Sequence, residues 1–119
     1  MGRITCCIRY SISPGKQSEF EHYARVWRRI IERLGGSYFG CFLAGEKPPD
    51  ADRFSFPEIG HNGPDDIAMV IFSFRDLEAY ERYRRDAGTD PECDAITRHF
   101  NDTKCFTSYE RTFMRELEP

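Results

Sequence analysis

Ile67-Ala68-Met69-Val70-Ile71-Phe72-Ser73-Phe74-Arg75-Asp76-Leu77-Glu78-Ala79-Tyr80 is the stretch on which the fold turns. Its opening run is apolar at odd and even positions alike and β-rich at its centre, so residues 66–74 read as a strand covered on both faces. Asp76 then offers a side-chain oxygen to the first unpaired N–H groups of a helix, and Leu77, Tyr80, Tyr83 and Ala87 recur at helical spacing until Gly88. A strand feeding a capped amphipathic helix buries one of its faces under that helix. The other face needs a different cover.

Working outward, residues 37–44 are also apolar on both parities and form a second strand of the same kind. Before it, Ile4, Cys6, Ile8, Tyr10 and Ile12 alternate with Arg3, Thr5, Cys7, Arg9 and Ser11, the period of two that marks a half-buried strand. Ser13 reads as a cap with Pro14 at the first helical position. Phe20, Tyr23, Ala24, Trp27, Ile30, Ile31 and Leu34 then line one face of a long helix that Gly35-Gly36 ends. Its outer face carries Glu21, Arg25, Arg28, Arg29, Glu32 and Arg33, with Glu21 and Arg25 spaced for an i,i+4 ion pair.

Downstream of Gly88, Asp90-Pro91 restarts a helix by the same cap-plus-proline logic, with Cys93, Ile96 and Phe100 along it. Alternation returns over 104–114, where Cys105, Tyr109 and Phe113 share one parity. The order β-α-β-β-α-β, with the second crossover broken into two helices, predicts an α+β ferredoxin-like fold. It is a four-stranded antiparallel sheet with its helices on one face, built as one domain over 1–119. Residues 45–65 form a long, mobile loop between the second and third strands, with Phe54-Ser55-Phe56 serving as a lid or as an anchor.

Composition narrows the function classes. The longest apolar stretch, six residues, falls far short of the roughly 20 needed to span a bilayer, and Arg9 interrupts any export signal, so a cytoplasmic protein is expected. The five cysteines are odd in number and form no C-x-x-C, which reads as reduced thiols, mostly buried. A formal charge of −3 disfavours a broad nucleic-acid footprint. Phe72 and Phe74 on one strand face match the stacking pair of RNA-recognition sheets, but the basic-glycine opening of that motif is missing, and no nucleic-acid or membrane partner is expected. G-x-S-x-G, P-loop, G-x-G-x-x-G and H-E-x-x-H patterns are all lacking.

Helices on one side leave Tyr38, Phe42 and Val70, or their neighbours of opposite parity, without cover. A second copy packed sheet to sheet supplies it, giving a homodimer; the alternative cover is the 45–65 loop.

Ala68 to Arg84, Asp90-Pro91-Glu92 and the carboxy-terminal Tyr109-Glu110-Arg111-Thr112-Phe113-Met114-Arg115 resemble the third strand, helix and last strand of bacterial NIPSNAP proteins. The helix around Trp27 and the Gly35-Gly36 stop are similar as well. The resemblance implies a dimeric α+β barrel, in which two ferredoxin-like sheets pack together. It brings no agreed catalytic set. Fold relatives of that family include cofactor-free monooxygenases, haem-degrading enzymes and small-ring isomerases, and the same architecture serves as a binding module. The 45–65 loop is the clearest departure from the family pattern.

The candidate site is a pocket between helices and sheet, with Tyr10, Tyr23, Trp27, Tyr80 and Tyr109 binding a small aromatic or acyl ligand, or merely filling the core. Weak candidates for moving a proton are His99 and Tyr109. His22 is placed where it can equally be a surface residue, and His61 near Asp50, Asp52, Asp65 and Asp66 has no metal-ligand spacing, so no metal and no cofactor are expected. Three functions remain open: a small-molecule-binding dimer, a cofactor-independent monooxygenase or isomerase acting on a small aromatic or carbonyl substrate, and a protein-interaction module without catalysis.

Overall fold

A computed structural model describes residues 2–119. In chain order it contains β1 (Ile4–Ile12), α1 (Gln17–Arg33), β2 (Ser37–Leu43), β3 (Ile67–Phe74), α2 (Leu77–Ala87), α3 (Pro91–Thr103) and β4 (Phe106–Met114). The strands make one antiparallel sheet in the order β2-β3-β1-β4, the ferredoxin-like arrangement expected from the element order. Cys6, Tyr10 and Ile12 of β1 and Ala68, Val70, Phe72 and Phe74 of β3 are buried beneath the helices, against Phe20, Ala24 and Ile31 of α1 and Tyr83 of α2. Phe72 and Phe74 are thereby core residues, and the sheet keeps no stacking platform there for bases.

One irregularity resets the second strand. The β2–β3 register shifts between Tyr38 and Gly40, which leaves Phe39 unmatched and 74% exposed. A bulge of this kind flips the parity of all that follows. Tyr38 and Cys41 therefore lie opposite Phe72 and Val70 on the helix side, whereas Phe42 lies opposite Met69 on the open side. The grouping of Tyr38, Phe42 and Val70 on one uncovered face is corrected accordingly. The open face carries Phe42 with Ile67, Met69 and Ile71, and across β1 and β4 it continues as Cys7 and Thr112, the Arg9–Glu110 pair at 3.9 Å, and Thr5 with Met114.

The start of α1 also departs from expectation. Ser13 accepts from the Lys16 N–H through its carbonyl at 3.0 Å, around Pro14 and a Gly15 at φ +74°, so Pro-Gly forms a tight turn and the helix begins three residues later than Pro14. Proline at the second and glycine at the third position of a turn is the type II signature, and it outcompetes the cap reading. The Ser13 hydroxyl instead donates to the Lys104 carbonyl at 2.5 Å, tying the end of β1 to the start of β4. At the other end Gly35 sits at φ +99°, and a Cβ on Gly36 would come within 2.5 Å of Ile31 Cγ2 and 3.0 Å of Phe74 Cζ. The chain can turn from α1 into β2 at this distance only with glycine there.

Both expected caps on the second crossover form. Asp76 accepts from the Ala79 N–H at 2.8 Å, and Asp90 accepts from the N–H groups of Glu92 and Cys93 at 2.9 and 3.2 Å. Leu77 is half out of the core; Tyr83 is the fully buried residue of α2. Cys93 and Ile96 of α3 join Val26 and Ile30 of α1 in a second, smaller core. Above it Arg33 grips Asp90 with two bonds of 2.7 and 2.9 Å and reaches Glu92 at 3.1 Å, while Arg29 holds Glu92 at 2.6 Å.

This network carries a pH dependence. The Arg33 guanidinium, opposed by burial and aided by the Cys93 and Glu92 N–H groups, holds the Asp90 carboxyl down at about 2. An unfolded aspartate titrates near 3.9. Between those values the unfolded chain binds the extra proton, so stability rises with pH across this window; the contribution is complete above about pH 4 and is lost as pH falls toward 2. Urea midpoints of Asp90→Asn and the parent protein should differ most at pH 5, draw together as pH falls below 4, and converge only below about pH 2.

Between Leu43 and Ile67 the chain makes turns without regular structure. Phe54 packs on Gly60, whereas Phe56 and Ile59 are exposed, so this segment anchors on itself rather than on the sheet. The radius of gyration is 16.4 Å, against about 13.5 Å for a compact chain of this length.

Candidate functional site

The helix-facing side of the sheet does not close completely. A cavity of about 140 Å³ lies between α1 and the sheet, with α2 at its flank. From α1 it is lined by Phe20, Tyr23, Ala24 and Trp27, residues whose three- and four-residue spacing puts them on one face. Its floor is Ile8 and Tyr10 of β1 with Val70 and Phe72 of β3, consecutive members of the buried parity in each strand. Tyr38 enters from β2 because the bulge turns it to this side. Tyr83 and Arg84 come from α2, and Tyr109 and Arg111 from β4, where they pair with Tyr10 and Ile8 across the ladder.

Aromatic contacts set the shape. The Tyr10 ring lies 5.1 Å from Phe20, 4.9 Å from Phe106 and 5.9 Å from Tyr109, and Tyr23 is 6.4 Å from Trp27. Edge-on and offset rings at such separations hold one another in place. Burial pushes the Tyr10, Tyr38 and Tyr83 hydroxyls well above the ordinary phenol value. Burial likewise drives Tyr23 up to about 12, against the opposing pull of the nearby Trp27 N–H and Tyr10 hydroxyl. All four stay protonated through the neutral range and can donate. The Trp27 indole N–H is buried and, although close to Tyr23, makes no hydrogen bond of good geometry. An unpaired buried donor of this kind costs about 1–3 kcal/mol until an acceptor reaches it.

Of the five residues expected to form a pocket, the structure brings Tyr10, Tyr23, Trp27 and Tyr109 to one cavity. Tyr80 is elsewhere, its ring 5.8 Å from Phe74 and 5.6 Å from Phe113. It sits three residues before Tyr83, and that displacement along α2 carries it past the cavity. His99 is also elsewhere. Its Nε2 lies 2.9 Å from the Glu19 carbonyl and its ring 4.7 Å from that of His22, an α1–α3 contact. His61 is exposed in the β2–β3 segment, 3.0 Å from the Asn62 carbonyl. Among the described residues no three His, Cys, Asp or Glu side chains cluster as metal ligands would, and no helix is long and apolar enough to cross a membrane. The five cysteines are unpaired thiols, with Cys6, Cys93 and Cys105 buried.

Sequence reasoning missed Tyr38, Tyr83, Arg84 and Arg111 as lining residues. Arg111 carried a usable signal, since it shares the parity of Tyr109 two residues earlier. Tyr38 carried none, because its facing depends on the bulge.

No family profile and no curated protein matches the sequence. Solved structures do. A NIPSNAP-like domain protein from Burkholderia xenovorans is 19% identical, with a TM-score of 0.68 over 97% of this chain and 85% of its own. A NIPSNAP family protein from Agrobacterium tumefaciens is 16% identical, with a TM-score of 0.71 over 98% of this chain and 94% of its own. SnoaB, a cofactor-independent oxygenase from Streptomyces nogalater, is 16% identical and matches 100% of this chain and 97% of its own with a TM-score of 0.59. Antiparallel strands in the order β2-β3-β1-β4, helices on one face and this likeness over nearly the whole chain agree, and the protein has the NIPSNAP-like, ferredoxin-like α+β fold.

Proposed function

We propose that this protein is a NIPSNAP-type homodimer that binds a small, ring-sized or short acyl molecule in the cavity beneath α1. The observation that carries the reading is the cavity itself: about 140 Å³, walled by aromatic rings and neutral phenols. An apolar void of about 150 Å³ accepts one benzene. The chain has a single tryptophan, and it lines this cavity, so its emission reports occupancy directly. Native mass spectrometry of the purified protein should detect a retained small molecule, and toluene should shift the Trp27 emission saturably. A bare protein mass together with unchanged emission at saturating toluene would refute the reading.

The dimer is supported by the open sheet face. Phe42 is 48% exposed there, Ile67, Met69 and Ile71 are only half-buried, and the β2–β3 segment leaves its own Phe56 and Ile59 in solvent instead of covering that face.

A catalytic version of the same site is favoured by the protonated phenols, which can donate to an enolate or other oxyanion as charge develops on a substrate. It fits a cofactor-independent oxygenase or isomerase acting on a small aromatic or carbonyl compound, and the similar fold of SnoaB points the same way. In that version Tyr109 is the accessible proton-handling candidate, whereas His99 does not line the cavity and is engaged with the Glu19 carbonyl.

A further inference from the structure

The polar groups around the cavity are unbalanced in charge. Among the described residues Arg84 and Arg111 are the only charged ones that line it, and both are solvent-exposed, as is Tyr109 beside them at 63%. Together they mark where the cavity opens. Seven of the other arginines (Arg9, Arg25, Arg28, Arg29, Arg33, Arg75 and Arg82) have a carboxylate within 4.0 Å. Among the described residues Arg84 and Arg111 have none, and of the seven arginines without a carboxylate (Arg3, Arg53, Arg84, Arg85, Arg98, Arg111 and Arg115) only these two line the cavity, Arg111 with its guanidinium 5.0 Å from the Phe113 ring. In a chain of net charge −3 this is not a shortage of acids; they lie elsewhere. The two guanidinium groups act on the same spot, since both pull down the Cys6 thiol that burial raises to about 11. Deeper in, the buried Trp27 N–H lacks a hydrogen bond of good geometry and the neutral phenols of Tyr10 and Tyr23 line the wall.

Resting on the small-ligand reading above, we infer that the ligand is an anion: a monocyclic aromatic or similarly sized apolar acid, with its ring under α1 and its carboxylate or equivalent oxyanion at the opening, against Arg84 and Arg111. A cation would add a third positive charge to a rim that already holds two. A neutral ring fills the cavity but leaves the rim uncompensated. A carboxylate supplies acceptors to planar donors whose fork geometry suits it.

Trp27 emission distinguishes these classes with three probes of one shape: benzoate, benzamide and benzylamine. Benzoate should bind tightest and benzylamine weakest, and raising salt from 0.05 to 0.5 M should weaken benzoate while leaving benzamide unmoved. Because both arginines are exposed, Arg84→Gln and Arg111→Gln should each weaken benzoate about fivefold, with benzamide unchanged. Equal binding of benzamide and benzoate by the parent protein would overturn the anion inference and leave the cavity reading standing. Silence toward all three, in protein shown by circular dichroism to be folded, would overturn both.

Discussion

Substituting lysine for Ile71 is expected to halve the particle mass in solution, from twice 13.9 kDa to 13.9 kDa. Ile71 stands at the middle of the open sheet face, opposite Cys7 of β1 on one side and Gly40 of β2 on the other. In an isolated protomer a lysine there extends into water at little cost. Between two sheets packed about 10 Å apart the ammonium is enclosed without a partner, and that costs several kcal/mol. Light scattering at micromolar concentration reads the result. Ile59→Lys is the matched control: Ile59 is 82% exposed on the β2–β3 segment, and lysine there should leave the mass unchanged. A parent protein that already scatters as a 13.9 kDa particle would remove the dimer from the proposal.

Filling the cavity is the second large effect. Ala24 is a buried α1 residue lining the cavity, and Ala24→Leu projects a branched side chain into the void from a helix that accepts leucine readily. The ligand-induced change in Trp27 emission should disappear, with affinity down at least about 100-fold, since the three added carbons take up space that a single ring needs in a cavity of about 140 Å³. Stability should hold or rise by up to about 1 kcal/mol, because occupied space replaces missing dispersion contacts. Urea unfolding and the titration together decide the matter. A stable variant that still binds would show that the ligand sits elsewhere.

Much of this was legible residue by residue. Asp76 and Asp90-Pro91 announced their helices because a cap is a local event, decided by one side chain and the next few N–H groups. Period-two alternation in β1 placed Tyr10 toward the core, and the α1 stripe placed Tyr23 and Trp27 beside it. Pro14-Gly15 is equally local, yet serine before proline suits a helix cap and a turn alike, and glycine at positive φ in the third position decides for the turn.

The remaining errors have a different origin. Tyr38 and Phe42 are four residues apart, an even number, yet face opposite sides, because an extra residue at Phe39 is absorbed by the pairing with β3. Nothing within β2 reveals that slip. Tyr80 and Tyr83 are both on the inner side of α2, but only Tyr83 reaches the cavity, and the choice depends on where α2 crosses the sheet. The sequence alone determined the element order, the fold class and the apolar walls of a pocket, because periodicity and capping act over a few neighbouring residues. Only the tertiary structure decided which side Tyr38 takes, that Arg84 and Arg111 share one opening with no carboxylate between them, and that His99 lies apart from it, because each depends on register and helix placement between segments distant in the chain.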